Sequence, residues 1–329
     1  MNHRERISAV LAGEPVDRLP VSVWGHDFLR EWTAQDLARQ TIERQQAHDY
    51  DFVKINPRWT LFAEPWGNMY QPPTEQKFPR LVTRIVEQAD DLGQIPVVAS
   101  DHAVLREHVE AVRLVTSEIS QEVDCLATLF SPLAVLGLLS GGVGKPLTGF
   151  LMEAPELAHQ ALTHITQTLA QHAQELVEAG ASGVFFAPLQ WTSLEVCSAD
   201  LYAEFGERYD REVLNAVSDA RFNMLHICGS DIGIERFYDY PVPVLNWDNF
   251  DELNPSLAAV ANESGKVVAG GVPHKRFHKL DAERLHTEVV QALGGLRTNL
   301  MLAGGCGIGA LVESEPRDNV VKVANNLDL

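Results

Sequence analysis

Eight short apolar runs recur along the chain, and most are followed by a stretch with helical periodicity. They cover residues 19–24, 51–56, 123–130, 183–187, 222–227, 242–247, 266–269 and 299–303. Each is continuous rather than alternating, the pattern of parallel strands buried on both faces. In the segment 155–179, Leu162, Ile165, Leu169 and Leu176 fall on one helical face, and Gly180 stands where a helix would stop. The segments 201–220 and 281–293 read the same way. Ser314-Glu315-Pro316 offers an N-cap and an early proline for a last helix. Eight strands alternating with helices predict an α/β protein, a (β/α)8 TIM barrel, with a doubly wound open sheet as the competing architecture.

One connection breaks the rhythm. Between residues 57 and 121 the spacing leaves room for far more than a loop. Within it, 63–79 is rich in proline and aromatic residues, and 105–115 fits an extra helix. Long barrel loops are often functional, so 63–79 is a candidate substrate lid, against the plainer reading of a decorated cap. With no repeat, low-complexity tract or linker, residues 1–329 are expected to form a single domain.

Charge limits the partners. The chain has 45 acidic against 26 basic residues, a formal net charge of −19. Nucleic acids and anionic membranes require the opposite footprint. The start, Met1-Asn2-His3-Arg4-Glu5-Arg6, is charged and unlike a secretory signal, and no apolar run approaches a membrane span. A cytoplasmic location is expected. Four cysteines in 329 residues do not make a secreted disulfide framework, so free or metal-bound thiols are expected instead.

Two segments carry candidate chemistry: Leu225-His226-Ile227-Cys228-Gly229 and Gly304-Gly305-Cys306-Gly307-Ile308, each after a strand-like run. Barrel active sites sit at the C-terminal ends of strands, where these residues fall. His226 and Cys228, two apart, would point the same way. With Cys306 across the mouth they form a three-ligand set suited to a catalytic zinc with an open fourth position, and thiolate-rich coordination favours zinc over iron. The glycines around Cys306 would let the backbone approach a ligand. A His-x-Cys motif is common by chance, and a buried thiol beside a hydrogen-bonded histidine accounts for the same residues.

Cys125 and Cys197 fit as small buried hydrophobes. Of the polar residues at strand ends, His26 and Asp248 follow their strands most closely and are the catalytic candidates. Asn56, Gln190 and His274 are candidates for contacts to substrate or cofactor. Asp27, Arg58, Asn249, Lys275 and Arg276 occupy similar places, and loop solvation would explain any of them. The glycine-rich turn at 303–307 lacks the lysine and spacing of a phosphate loop.

Several motifs match a family. Arg4-Glu5-Arg6-Ile7 through Gly13-Glu14-Pro15-Val16-Asp17-Arg18-Leu19-Pro20, then Ala154-Pro155-Glu156-Leu157, then Glu315-Pro316-Arg317-Asp318-Asn319-Val320 resemble the uroporphyrinogen decarboxylase superfamily, in order and over nearly the whole chain. That resemblance independently implies the barrel. The true decarboxylases carry Arg-Gln-Ala-Gly-Arg after the first strand; this chain has Gly25-His26-Asp27-Phe28-Leu29-Arg30. Where they have Gly-His-Gly-Ile after the last strand, it has Gly305-Cys306-Gly307-Ile308. His226, Cys228 and Cys306 are instead similar to the zinc-binding residues of corrinoid-dependent methyltransferases such as methylcobamide:coenzyme M methyltransferase.

The resemblance therefore implies a zinc-dependent methyltransferase working with a methylcorrinoid on a separate carrier protein and a small thiol. Decarboxylation of tetrapyrrole acetate side chains is the runner-up. A zinc-bearing binder of thiols or corrinoids is the non-enzymatic alternative. One departure stands out. The loop after the seventh strand, often Gly-Asn-Val/Leu-Asp-Pro in the superfamily, reads Gly270-Gly271-Val272-Pro273-His274, so a local contact to substrate or cofactor has changed.

Overall fold

In the computed structural model, which describes residues 1–327, all eight apolar runs become strands of one parallel sheet. They are β1 (Val21–Ser22), β2 (Phe52–Ile55), β3 (Asp124–Phe130), β4 (Gly183–Ala187), β5 (Met224–Ile227), β6 (Val244–Trp247), β7 (Val267–Val272) and β8 (Leu300–Gly304). Each strand from β2 to β8 pairs with its neighbour in sequence, and β8 pairs with β1. That order is a (β/α)8 barrel, not a doubly wound sheet. The strands β3, β4, β7 and β8 are buried at every position, as their unbroken apolar character demands.

The seam between β1 and β2 closes differently. The Asp51 N–H donates to the Val21 carbonyl at 2.9 Å. The Asp51 carboxylate in turn accepts the Val21 N–H at 2.8 Å, standing in for a ladder that two-residue β1 cannot build. Past Ser22 the chain leaves the sheet, and the Trp24 carbonyl accepts the Ile308 N–H from the loop after β8.

Helices cover the outside, chiefly Ala103–Ile119, Pro155–Glu178, Ala282–Leu293 and Ser314–Asn325. The segment 201–220 is not one helix. It runs as Ala199–Tyr202, a wider π turn over Ala203–Glu207 and Arg208–Asn215, because Gly206 packs against the Tyr202 ring and the buried Asp210 carboxylate draws in the Tyr202 hydroxyl. The long connection is also more ordered than a loop. Strands Met69–Gln71 and Arg80–Thr83 form an antiparallel ribbon whose tip reaches back over the barrel mouth. Among the described residues no helix is long and apolar enough to cross a membrane.

Candidate metal centre

His226 leaves β5 pointing inward, Cys228 follows two residues later, and Cys306 arrives from β8. Their ligand atoms all lie within 4.8 Å of one another. Glycine makes the approach of the two chains possible. A Cβ on Gly305 would sit 2.5 Å from the Asp248 Cα and 2.8 Å from the Trp247 carbonyl oxygen, so only glycine lets this turn lie against the end of β6. The close approach it permits is thus to a neighbouring strand rather than to a ligand. Gly229, at φ 109°, turns the chain beside Cys228 with its α-carbon against Ser193. The Thr192 hydroxyl donates to the Cys228 carbonyl at 2.7 Å and fixes the position of that residue.

The donor set fits a thiophilic cation. His226 Nδ1 is engaged by Asn246 Oδ1 at 2.7 Å, which leaves Nε2 as the free ligand atom. The two sulfurs interact directly: the hydrogen bond between them holds the Cys306 thiol well below its usual range and pushes Cys228 well above it, with burial opposing the first and reinforcing the second. A pair sharing one negative charge beside an imidazole is the arrangement zinc completes. By contrast, burial pushes the Cys125 thiol up to about 12 and the Cys197 thiol up to about 11, and neither approaches the cluster.

The cluster forms one wall of a cavity of about 330 Å³ at the C-terminal ends of the strands. Trp24, Phe28, Trp59, Phe78, Phe130 and Phe185 add six aromatic rings to the remaining lining. Phe78 comes from the tip of the 63–79 segment. Its ring meets Phe28 at 4.8 Å and Trp59 at 5.3 Å, and the Gln76 side chain ties the same tip to Asp27 at 2.7 Å, so the segment roofs the cavity.

Of the residues singled out in the sequence, His26, Asn56 and Gln190 line this cavity with the three metal candidates. His26 Nδ1 lies 2.8 Å from the carboxylate of Glu31, which is 1% exposed and orients the ring. Asp248 and His274 do not line it. They sit behind the cluster, 3.7 Å apart, with Asp248 also held by Lys275 at 2.9 Å. Burial pushes His274 below the usual histidine range against the pull of Asp248 and Cys306. Arg58 is spent on Glu64 and Glu107, Arg276 on Glu288, and Asn249 accepts the Gly271 N–H.

The structure adds residues that the sequence reading passed over. Lys54, in β2, projects into the cavity with its ammonium 4.5 Å from the centroid of the Phe185 ring, and Phe185 in turn stacks on His226. It donates to Asn56 Oδ1. No carboxylate of the described residues lies within salt-bridge distance of it, and desolvation by the cavity walls pushes it down to about 7. Asn246 and Glu31 are the other additions.

Residues 2–327 match the family model described as uroporphyrinogen decarboxylase (URO-D). No curated protein sequence matches the chain significantly. Among solved structures, the chain is similar to a methyltransferase from Methanosarcina mazei, with 19% identity over 99% of this chain and 98% of that one and a TM-score of 0.79. It is also similar to a B12-independent methionine synthase from Shewanella sp. W3-18-1 in complex with selenomethionine. That match has 14% identity over 94% and 97% of the two chains and a TM-score of 0.64. At these identities the likeness is one of fold.

Proposed function

The chain belongs to the uroporphyrinogen decarboxylase (URO-D) family, and from that premise we propose that it is a zinc-dependent methyltransferase that moves a methyl group between a corrinoid protein and a small thiol. The convergence of one imidazole and two sulfurs within 4.8 Å carries this reading. His226, Cys228 and Cys306 would hold the metal. Once bound, zinc supplies a Lewis acid that keeps an acceptor thiol ionised near neutral pH, while a methylcorrinoid on a separate carrier protein supplies the methyl group that this sulfur takes up.

The protein's own residues do the rest. Aromatic walls exclude water and leave a slot for a small substrate. His26, held by Glu31 through Nδ1, presents Nε2 as a relay for the proton that leaves the thiol. Gln190 and Asn56 would contact the substrate. Asp248 and His274, set behind the cluster, would act through the metal ligands rather than on the substrate. The roof formed by residues 63–79 would meet the carrier protein.

Lys54 bears on which thiol is accepted. An ammonium facing an apolar cavity without a carboxylate partner is costly, and a ligand anion relieves that cost. The acceptor is therefore one that carries an anionic group beside its sulfur. Lys54→Met should weaken binding of 3-mercaptopropionate by about 10–100-fold, the worth of one charge-assisted hydrogen bond, and leave 2-mercaptoethanol nearly unchanged. Calorimetric titration of the zinc-loaded protein with both thiols checks this; equal losses for the two would remove Lys54 from substrate recognition.

Tetrapyrrole decarboxylation needs several cations converging on carboxylates, whereas among the described residues Lys54 is the sole lysine or arginine lining this cavity. The deciding experiment is elemental analysis of the purified protein, followed by methylcobalamin and thiol together. One zinc per chain and thiol-dependent loss of methylcobalamin absorbance are expected. Zinc and thiol binding without any methyl transfer would favour a binding protein, and decarboxylation of uroporphyrinogen would favour the runner-up.

A further inference from the structure

Asn246 lies in β6 directly opposite His226 of β5 and is fully buried. Its side chain makes three hydrogen bonds. Nδ2 donates to the Ala269 carbonyl at 2.8 Å and to the Gly304 carbonyl at 3.0 Å, while Oδ1 meets His226 Nδ1 at 2.7 Å. The two carbonyls use both amide protons and settle which way the amide faces. Turned the other way, its oxygen would confront two carbonyl oxygens in a buried site. Oδ1 is therefore the atom presented to His226, and the imidazole must donate from Nδ1.

The consequence reaches both arms of the cluster. Protonation at Nδ1 leaves the Nε2 lone pair for a metal, and the ring cannot rotate without breaking the bond. The Gly304 carbonyl closes β8 two residues before Cys306. One side chain thus joins the strand bearing the imidazole, the intervening strand β7 at Ala269, and the strand that delivers a thiolate.

We propose that Asn246 is the positioning residue of the metal centre, setting the tautomer of His226 and the register of the Cys306 turn against it. The inference deepens the zinc reading above and rests on it for the metal's identity, but the tautomer is a property of the protein alone.

Two measurements test it. In protein labelled with ¹⁵N-histidine and freed of metal, long-range ¹H–¹⁵N correlations should find His226 protonated at Nδ1, and in Asn246→Leu they should find that preference lost. Competitive zinc titration should show about 10–100-fold weaker binding in Asn246→Leu, the usual cost of losing a partner that orients a metal-binding histidine. Asn246→Asp keeps an acceptor for Nδ1 but loses both donors, so it should retain the Nδ1–H tautomer while still binding zinc more weakly than wild type. If Asn246→Leu does not fold, wild type and Asn246→Asp decide alone. An Nε2–H tautomer in the metal-free wild type, or wild-type zinc affinity in a folded Asn246 variant, overturns the proposal. A wild-type protein that binds no zinc but keeps the Nδ1–H tautomer would sink the methyltransferase reading and leave the imidazole's positioning by Asn246 standing.

Discussion

Replacing Cys306 by serine should cost the protein most of its bound zinc and lower thiol methylation by about three thousandfold. The magnitude has two parts. A free thiol of ordinary pKa is only a few per cent ionised at pH 7, so losing the metal's hold on the proton costs roughly 30-fold. Losing the fixed position of the sulfur in the cavity costs about another hundredfold. Serine is close to isosteric, but its hydroxyl does not ionise in this range and makes a poor zinc ligand. Cys228→Ser should behave alike, since its thiol is hydrogen-bonded to the Cys306 sulfur in the same cluster. Cys125→Ser serves as the control: this thiol is buried within β3, away from the cluster, and zinc should remain at one equivalent per chain. Zinc analysis and a methylcobalamin assay on the same preparations decide the matter. Full zinc content in folded Cys306→Ser would strike that residue from the ligand set.

The signal that located this cluster explains what was readable and what was not. Continuous apolar runs marked every barrel strand, because a strand buried on both faces has no polar side to interrupt it. Strand ends were less clear. Residues 19–24 read as one strand, yet only Val21–Ser22 pair, because the chain then turns toward Ile308. The ribbon of Met69–Gln71 and Arg80–Thr83 gave no signal, since its strands are short, largely exposed and separated by prolines.

The missed site residues share a simpler cause. Lys54 lies two positions before Asn56, and Asn246 two before Asp248, so the period of a strand puts each on the same side as a residue already singled out. A lysine inside an apolar run reads as an interruption, and an asparagine before a tryptophan as the edge of a loop. In a barrel, however, the inward side of a strand end is where a polar residue meets a ligand. Glu31 had no comparable signal, because four irregular residues separate it from His26 and no periodicity relates them.

At the opposite end of the barrel, Asp51→Ala should destabilise the fold by about 3–5 kcal/mol, the cost of stripping one partner from a buried ion cluster. The Asp51 carboxylate is fully buried. It accepts from Arg6 at 2.5 Å, Arg18 at 2.6 Å, His3 at 3.0 Å and the Val21 N–H at 2.8 Å. Arg6 and Arg18 belong to the opening motif that resembles the family, and their work here is to close the seam between β1 and β2 far from the cavity. Removing the carboxylate leaves the Arg18 guanidinium and a backbone donor without their acceptor, and leaves Arg6 with Asp17 alone. In a protein of this size the melting temperature should fall by roughly 4–7 °C, with thiol methylation per folded molecule unchanged.

The pH dependence of that stability has a definite sign on each flank. Burial pushes the Asp51 carboxyl up, but bonds from His3 and Arg18 outweigh it and hold the group below its ordinary value. Its contribution is present above the unfolded carboxyl pKa of about 4 and is lost as pH falls through the lower folded value. The bond to Asp51 raises His3, with burial opposing it. The His3 contribution is complete below about pH 6.5 and fades as pH rises through the raised folded value. Thermal melts of wild type should therefore show stability falling away on both flanks, and Asp51→Ala should lose both of these contributions at once. A variant that melts within 1–2 °C of wild type, or that keeps both flanks, would mean the seam is held by the strands themselves and not by this carboxylate.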